Sequence, residues 1–235
     1  GSSSSNPVQR SLQSRLDDFV NVRSFGANGD GTDQTLALQR AIDQLFLPWS
    51  SATDADSLRK RVTLKLDAGL YKISNSLKVP PYVNLVGDGS DKTVIEQTGA
   101  YAVIETINGN GINAQTSSTN QSNIIKLEGM TLKSYLTNPA LKLSSTKDSQ
   151  FIDIKLQGPW TQGSAITSTQ IGLLMEATST PVTTQNNNFE KLKVVGFSYG
   201  ILSNHDVANN HFEDCVLETL SYGVYWGRDT ALGQV

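Results

Sequence analysis

An internal repeat of 23 residues near the C-terminal end is the feature that most constrains the fold of this chain. The tetrapeptide Asn-Asn-Phe-Glu at Asn187 returns as Asn-His-Phe-Glu at Asn210, and Phe-Ser-Tyr-Gly-Ile at Phe197 returns as Leu-Ser-Tyr-Gly-Val at Leu220. A period of this length is too short for a propeller blade and lacks a leucine-rich consensus, but it suits one coil of a parallel β-helix. The repeat therefore predicts coils stacked about 4.8 Å apart, in which matching side chains form columns.

Short strands with frequent turns fill most of the chain beyond residue 61. Apolar and polar residues alternate there with a period of two, between turns rich in Gly, Pro and Asp. Together with the repeat, this pattern predicts an all-β, parallel β-helix in which Phe189 lies over Phe212 and Tyr199 lies over Tyr222. Residues 157–186 exceed the length of one coil, which predicts an inserted loop.

The composition excludes several classes of function. Nineteen Lys and Arg against 22 Asp and Glu give a net charge of −3, so we expect no binding to nucleic acid. No apolar run approaches the roughly 20 residues that span a bilayer, so we expect no membrane insertion. Cys215 stands alone, and His205 and His211 lack a third ligand at a recognisable spacing, so we predict no disulfide, no metal site and no cofactor.

The N-terminal region predicts a connector followed by a capping helix. A Ser-rich lead-in precedes apolar residues at helical spacing, which predicts a short helical connector within residues 1–19. A Gly-rich turn at 26–31 follows, and then a second helical pattern that Pro48 ends. The apolar face of that second helix is predicted to consist of Leu38, Ala41, Ile42 and Leu45.

Residues 22–43 resemble the opening motif of the pectate-lyase-like right-handed β-helix superfamily. The glycines, Asp30, Asp33 and the apolar helix face follow one another in the order of that motif. Residues 8–22 are similar to the connector that leads into the β-helix of bacteriophage tailspikes and related tail or baseplate proteins. The resemblance implies a right-handed β-helix domain over residues 20–235 with a short N-terminal capping helix, and it makes Asp30 and Asp33 turn and cap residues.

The same resemblance implies a protein of the phage virion. It implies a homotrimer that contacts other tail proteins, is released by host lysis and binds bacterial surface polysaccharide. Three functions stay open: docking on or binding polysaccharide, cleavage of capsule or O-antigen by hydrolysis or elimination, and a purely structural role as an adaptor. A cellular pectinase or epimerase is a further alternative on the superfamily motif alone, and the connector argues against it.

Candidate catalytic residues come from the repeat. Glycosidic hydrolysis needs two carboxyl groups, about 5–5.5 Å apart for retention or roughly 6.5–9.5 Å apart for inversion. Glu190 and Glu213 occupy equivalent repeat positions and so lie one coil apart, while Asp214 lies on the same coil as Glu213. Because alternation also places glutamates beside inward phenylalanines on the solvent face, a solvated column explains the same residues without catalysis.

Candidate substrate-binding residues are aromatic, because a flat apolar ring packs against the C–H face of a sugar. Core or subunit-interface packing is the alternative for each of them. These candidates are Trp160, Tyr199, Tyr222, Tyr225 and Trp226. A well-formed coil ends at Asp229 with only residues 230–235 after it, so we expect the solenoid to be truncated at its C-terminal end.

Overall fold

The computed structural model describes residues 19–46, 62–107, 122–135, 138–177, 183–204 and 207–226. The predicted connector lies outside these residues, apart from Phe19. The described chain consists mainly of β-strands, with the 3₁₀ helix η1 (Val22–Phe25) and the α-helix α1 (Thr35–Phe46) near its beginning.

The strands are short in the first coils and longer in the last. In chain order they are β1 (Phe19–Asn21), β2 (Asp30–Asp33), β3 (Thr63–Lys65), β4 (Gly69–Ile73), β5 (Leu77–Val79), β6 (Asn84–Val86), β7 (Thr93–Gln97), β8 (Ile104–Thr106), β9 (Ser122–Asn123), β10 (Lys126–Lys133), β11 (Leu141–Ser144), β12 (Thr146–Lys147), β13 (Gln150–Gln157), β14 (Ile171–Glu176), β15 (Thr184–Gln185), β16 (Asn188–Glu190), β17 (Lys193–Ser203), β18 (Val207–Ala208), β19 (His211–Glu213) and β20 (Val216–Trp226).

The strands form a solenoid with three long faces and one narrow one. Sixteen strands form one sheet that bends around the three long faces, and four strands form the narrow sheet β9-β12-β15-β18. Face 1 consists of β1, β3, β6, β16, β19 and the first halves of β10 and β13. Face 3 consists of β5, β8, β11, β14 and the second halves of β17 and β20, and face 2 lies between faces 1 and 3.

All the strand pairs are parallel, and each joins one coil to the next. Parallel crossovers of this kind are right-handed in nearly all proteins. Since side chains alternate between the two sides of a strand, every coil sends one set of residues into the core and the other into solvent. The predicted right-handed parallel β-helix is therefore confirmed.

The core of face 1 is one continuous column of apolar side chains. Its members pair directly from coil to coil and are Val20, Leu64, Leu85, Leu127, Phe151, Phe189 and Phe212. The rings of Phe151 and Phe189 stack with centroids 4.9 Å apart, and those of Phe189 and Phe212 stack at 4.5 Å. The predicted stacking of Phe189 on Phe212 is confirmed, and the stack of rings extends one coil further than the repeat reveals, to Phe151.

The asparagines of the repeat hold the turn before face 1. Asn186 and Asn209 adopt the left-handed backbone conformation, with φ of 56° and 52°, which Asn tolerates better than most residues. Asn187 is buried, and its side-chain amide donates to Asn210 Oδ1 at 2.8 Å and to the main-chain oxygen of Thr146 at 2.9 Å. In each repeated Asn pair, the first residue therefore adopts the left-handed backbone conformation of the turn, and the second forms hydrogen bonds between coils.

Helix α1 caps the N-terminal mouth of the solenoid, as the resemblance implies. It buries Leu38, Ala41, Ile42 and Phe46 against the core. Asp33 Oδ1 accepts hydrogen bonds from the Thr35 main-chain N–H at 2.9 Å and its hydroxyl at 2.6 Å, which stabilises the first turn of the helix. Hydrogen bonds from Ser74 and Thr35 hold the pKa of Asp33 below its usual value.

Candidate functional site

The three tyrosines among the predicted binding residues form one cluster on the outside of face 3. The rings of Tyr199 and Tyr222 stack at 5.0 Å, and Tyr225 meets them edge-on at 5.5 Å and 6.0 Å. Gly200 follows Tyr199 because a β-carbon there would lie 2.6 Å from the main-chain oxygen of Gly223 in the next coil. The prediction that Tyr199 stacks on Tyr222 is confirmed.

The tyrosine cluster rests on a small apolar patch outside the solenoid core. Ile171, Leu174 and Leu202 pack together and against Tyr199, separately from the main core. Tyr222 and Tyr225 are 43% and 46% exposed. Together these side chains present a firm aromatic surface to solvent, of the kind that binds the apolar side of a ring-shaped ligand.

An open groove of about 500 Å³ adjoins this patch on face 3. Leu174 and Leu202 line it together with Tyr101, which is 50% exposed. Polar side chains converge on the groove from four different loops. They are Asn75, Asn138, Thr169 and Asn204.

A row of alternating charges crosses the groove. Glu105 forms ion pairs with Lys78 and, at 3.3 Å, with Lys142, whose Nζ also lies 2.9 Å from Glu176 Oε1. The Ser144 hydroxyl donates to the same oxygen of Glu176 at 3.1 Å. Burial alone would lower the pKa of Lys142, but the hydrogen bond and charge of Glu176, together with Glu105, raise it above its ordinary value. Lys142 therefore stays a cation throughout the neutral range.

The charged row and the tyrosine cluster are two ends of one outward column. Register pairing runs from coil to coil through Lys78, Glu105, Lys142, Leu174, Leu202 and Tyr225. At the coil spacing of a parallel sheet, this column is about 24 Å long. Face 3 thus presents a continuous strip that changes from ionic through aliphatic to aromatic.

The predicted carboxylates lie on face 1, not with the tyrosines. Glu190 and Glu213 are direct neighbours in consecutive coils, as the repeat predicts. Glu190 lies 3.4 Å from Lys191, and Glu213 lies 3.9 Å from His211. The structure therefore brings the two glutamates together but separates them from the aromatic candidates.

Asp214 occupies a corner between faces 1 and 2. Its φ of 51° repeats the left-handed conformation of Lys191 and Asp153 at the same corner of the preceding coils. Asp153 there accepts hydrogen bonds from the main chain and hydroxyl of Ser90. The corner therefore fixes the backbone conformation of Asp214, and it accepts side chains as different as those of Asp153 and Lys191.

The two predicted tryptophans have opposite environments. Trp160 lies in the strand-free segment 158–170, which corresponds to the predicted insertion, and only 9% of it is exposed. Its main-chain N–H donates to Gly196, and its indole nitrogen is buried without a hydrogen-bond partner. Trp226 ends β20 and is 63% exposed. Trp160 matches the alternative of core packing. Trp226 pairs in register with Ser203, in the inward column of Leu143 and Met175, so it lies on the opposite side of the strand from Tyr225.

Face 1 carries a second groove of about 600 Å³. It is flanked by Phe19, which is 65% exposed, and by the ion pairs of Lys65 with Asp88 at 3.1 Å and of Lys126 with Glu128 at 2.6 Å. Among the described residues, including those of both grooves, no group of three His, Cys, Asp or Glu side chains is arranged to hold a metal ion. None of the described helices has the length and apolarity to cross a membrane.

The parallel β-helix places this chain in a class of solenoid proteins, and a family model identifies the family within that class. The family model of rhamnogalacturonase A/epimerase, pectate lyase-like proteins matches residues 19–224. The chain therefore belongs to this pectate-lyase-like family. A glucan 1,3-beta-glucosidase of Cochliobolus carbonum is 34% identical over 94 residues, which are 37% of this chain and 10% of that protein.

Two solved structures of viral proteins share the fold. The N-terminal fragment of bacteriophage Phi29 gene product 12 superposes on 84% of this chain with a TM-score of 0.59 and 17% identity. ORF18 of Geobacillus virus E2 superposes on 87% with a TM-score of 0.56 and 20% identity. This chain covers 34% and 44% of those two proteins, respectively, so it spans less than half of each.

Proposed function

We propose that this chain is the β-helix domain of a phage virion protein that docks on host surface polysaccharide through face 3. The observation that carries the proposal is the outward column from Lys78 to Tyr225, which joins a polar groove to exposed rings. Membership of the pectate-lyase-like family and the fold shared with two viral proteins support it.

The chemistry of the strip suits a polysaccharide. Sugar rings offer an apolar C–H face, which packs on tyrosine, and a rim of hydroxyls, which exchange hydrogen bonds with amides and charged groups. Face 3 provides both kinds of contact side by side. A strip of about 24 Å also has room for several successive sugar units of a polymer.

Binding to a panel of capsular and O-antigen polysaccharides tests the proposal. We expect the chain to be retained on at least one of them, and Tyr101→Ala and Tyr225→Ala each to weaken retention about tenfold, roughly 1.4 kcal/mol. The control is Phe19→Ala, which removes an exposed ring, at 65%, from face 1. Loss of binding in the control but in neither tyrosine variant would move the site to face 1.

Depolymerase activity is a second candidate, favoured by the register of Glu190 and Glu213 in adjacent coils. Incubation with the bound polysaccharide and an assay for new reducing ends or unsaturated uronates tests it. If these residues carry the reaction, Glu190→Gln and Glu213→Gln abolish product, and Asp214→Asn lowers it. Product formation that survives all three substitutions rules out this set.

The proposal includes a homotrimer that contacts other tail proteins of the virion. The last described coil exposes apolar residues that an association can cover, Val216 in register with Lys193 and Val224 and Trp226 in the register of the core columns. Analytical ultracentrifugation should give the mass of three chains, and antibodies against the chain should label intact virions. A monomer at all concentrations, or labelling confined to free protein, contradicts this part.

A further inference from the structure

Two lysines and two glutamates balance one another at the groove of face 3, where Lys78, Glu105 and Lys142 line the groove and Glu176 lies beside it as a partner of Lys142. Lys78 and Lys142 are both ion-paired to Glu105, and Lys142 is also paired to Glu176, so two cations meet two anions. The side chains of Lys78, Glu105 and Lys142 are 25%, 11% and 27% exposed, so bulk water screens these pairs only in part. The floor of the groove is therefore polar but close to electrically neutral.

Ammonium and carboxylate groups each offer several hydrogen-bonding positions. An ammonium group carries three N–H donors, and a carboxylate accepts about four hydrogen bonds. A donor and an acceptor that are fixed side by side match two adjacent hydroxyls of a sugar, since one hydroxyl accepts while the other donates. The amides of Asn75, Asn138 and Asn204 add neutral donors and acceptors to the same rim.

A carboxylated ligand would meet an unfavourable environment in this groove. Its anion would have to draw a lysine away from Glu105 or Glu176, or remain beside those carboxylates, which repel it. The protein as a whole carries a net charge of −3, which does not attract polyanions. Desolvating the anion would add a further cost.

We propose that the groove of face 3 selects a neutral polysaccharide, with Glu105 accepting from one sugar hydroxyl, Lys78 or Lys142 donating to its neighbour, and Tyr101 packing on the ring. This inference rests on the proposed function and adds the substrate class to it. The raised pKa of Lys142 supports the arrangement, because the donor stays protonated in neutral solution.

A matched pair of polymers tests the inference. Neutral bacterial polysaccharides are compared with the same polymers after selective oxidation of their primary hydroxyls to carboxylates. We expect the oxidised form to bind at least about tenfold more weakly. Affinity for the neutral form should change less than about twofold between roughly 0.1 M and 1 M NaCl, over which the Debye length falls from about 10 Å to about 3 Å.

The variant Glu105→Gln sharpens the test, because it removes one anion and leaves Lys78 without that partner. We expect it to bind the oxidised polymer more tightly than the wild type does, and to lose that gain in about 1 M salt. The matched control Glu128→Gln removes an ion-paired carboxylate from face 1 and should not change the preference. A melting curve shows whether Glu105→Gln is folded. If it is not, the comparison of neutral and oxidised polymers with the wild-type protein decides whether the groove prefers neutral polysaccharide.

The outcomes separate this inference from the proposed function. Tighter binding of the wild type to the oxidised polymers, weakened by salt, overturns the neutral preference while polysaccharide binding stands. Equal binding of both forms overturns it as well. Binding to no polymer of the panel overturns the proposed function, and the inference with it.

Discussion

Faces 1 and 3 use aromatic columns on opposite sides of the strand. On face 1, the rings of Phe151, Phe189 and Phe212 stack inside the solenoid. On face 3, Tyr199 and Tyr222 stack outside it. Both columns come from the same coil-to-coil register, so the side of the strand decides whether a stack is buried in the core or exposed to solvent.

The strongest test of this comparison is Phe189→Ala. Phe189 is fully buried between two stacked rings, so its removal leaves a cavity in the middle of the column. We expect the free energy of unfolding to fall by about 3–5 kcal/mol, measured by urea titration. The neighbour variant Glu190→Ala should change it by less than about 0.5 kcal/mol. Similar losses in Phe189→Ala and Glu190→Ala would contradict the conclusion that the buried phenylalanine column stabilises the fold.

Tyr222→Ala provides the counterpart on face 3. Because this ring is 43% exposed, its removal costs chiefly the ring–ring contact, and we expect a loss of about 0.5–1.5 kcal/mol in the same urea titration. The free energy of polysaccharide binding should fall by more than the free energy of unfolding does. A loss as large as that of Phe189→Ala would show that the outer stack is structural.

The smallest effect concerns the ionic end of face 3. Because the pKa of Lys142 is raised in the folded protein, the stabilisation it provides is fully present below the ordinary value of 10.5 and is lost as the pH rises through the raised value. We expect the stability difference between the wild type and Lys142→Met, about 0.5 kcal/mol, to be constant from neutral pH to about pH 10 and to shrink above it. A difference that already shrinks near pH 8 would contradict this account of the ion pairs.

Both the inner and the outer aromatic columns could be predicted from the sequence, because the last two described coils are spaced by the same number of residues throughout. Phe189 and Phe212 share an offset with Tyr199 and Tyr222, so one period reveals both pairs. The capping helix was also predictable, although its last buried residue, Phe46, lies beyond the predicted face.

The groove of face 3 could not be predicted in the same way. Lys78, Glu105 and Lys142 meet in space, but loops of unequal length separate them in the chain, so no fixed period links them. Tyr101 likewise lies in a loop without a repeat. The sequence also could not show that Glu190 and Tyr199, only nine positions apart, lie on different faces, because that depends on where β17 bends.

The unequal spacing of the core column has a consequence for how this architecture changes over time. Leu85 and Leu127 are direct neighbours although 42 positions separate them, just as Phe189 and Phe212 are at 23. In the coil from Phe151 to Phe189, the strand-free segment 158–170 adds residues between β13 and β14 without moving the wall. Corner segments can therefore lengthen, shorten or be exchanged while the scaffold is inherited unchanged, which leaves a lineage free to alter its recognition loops without redesigning its core.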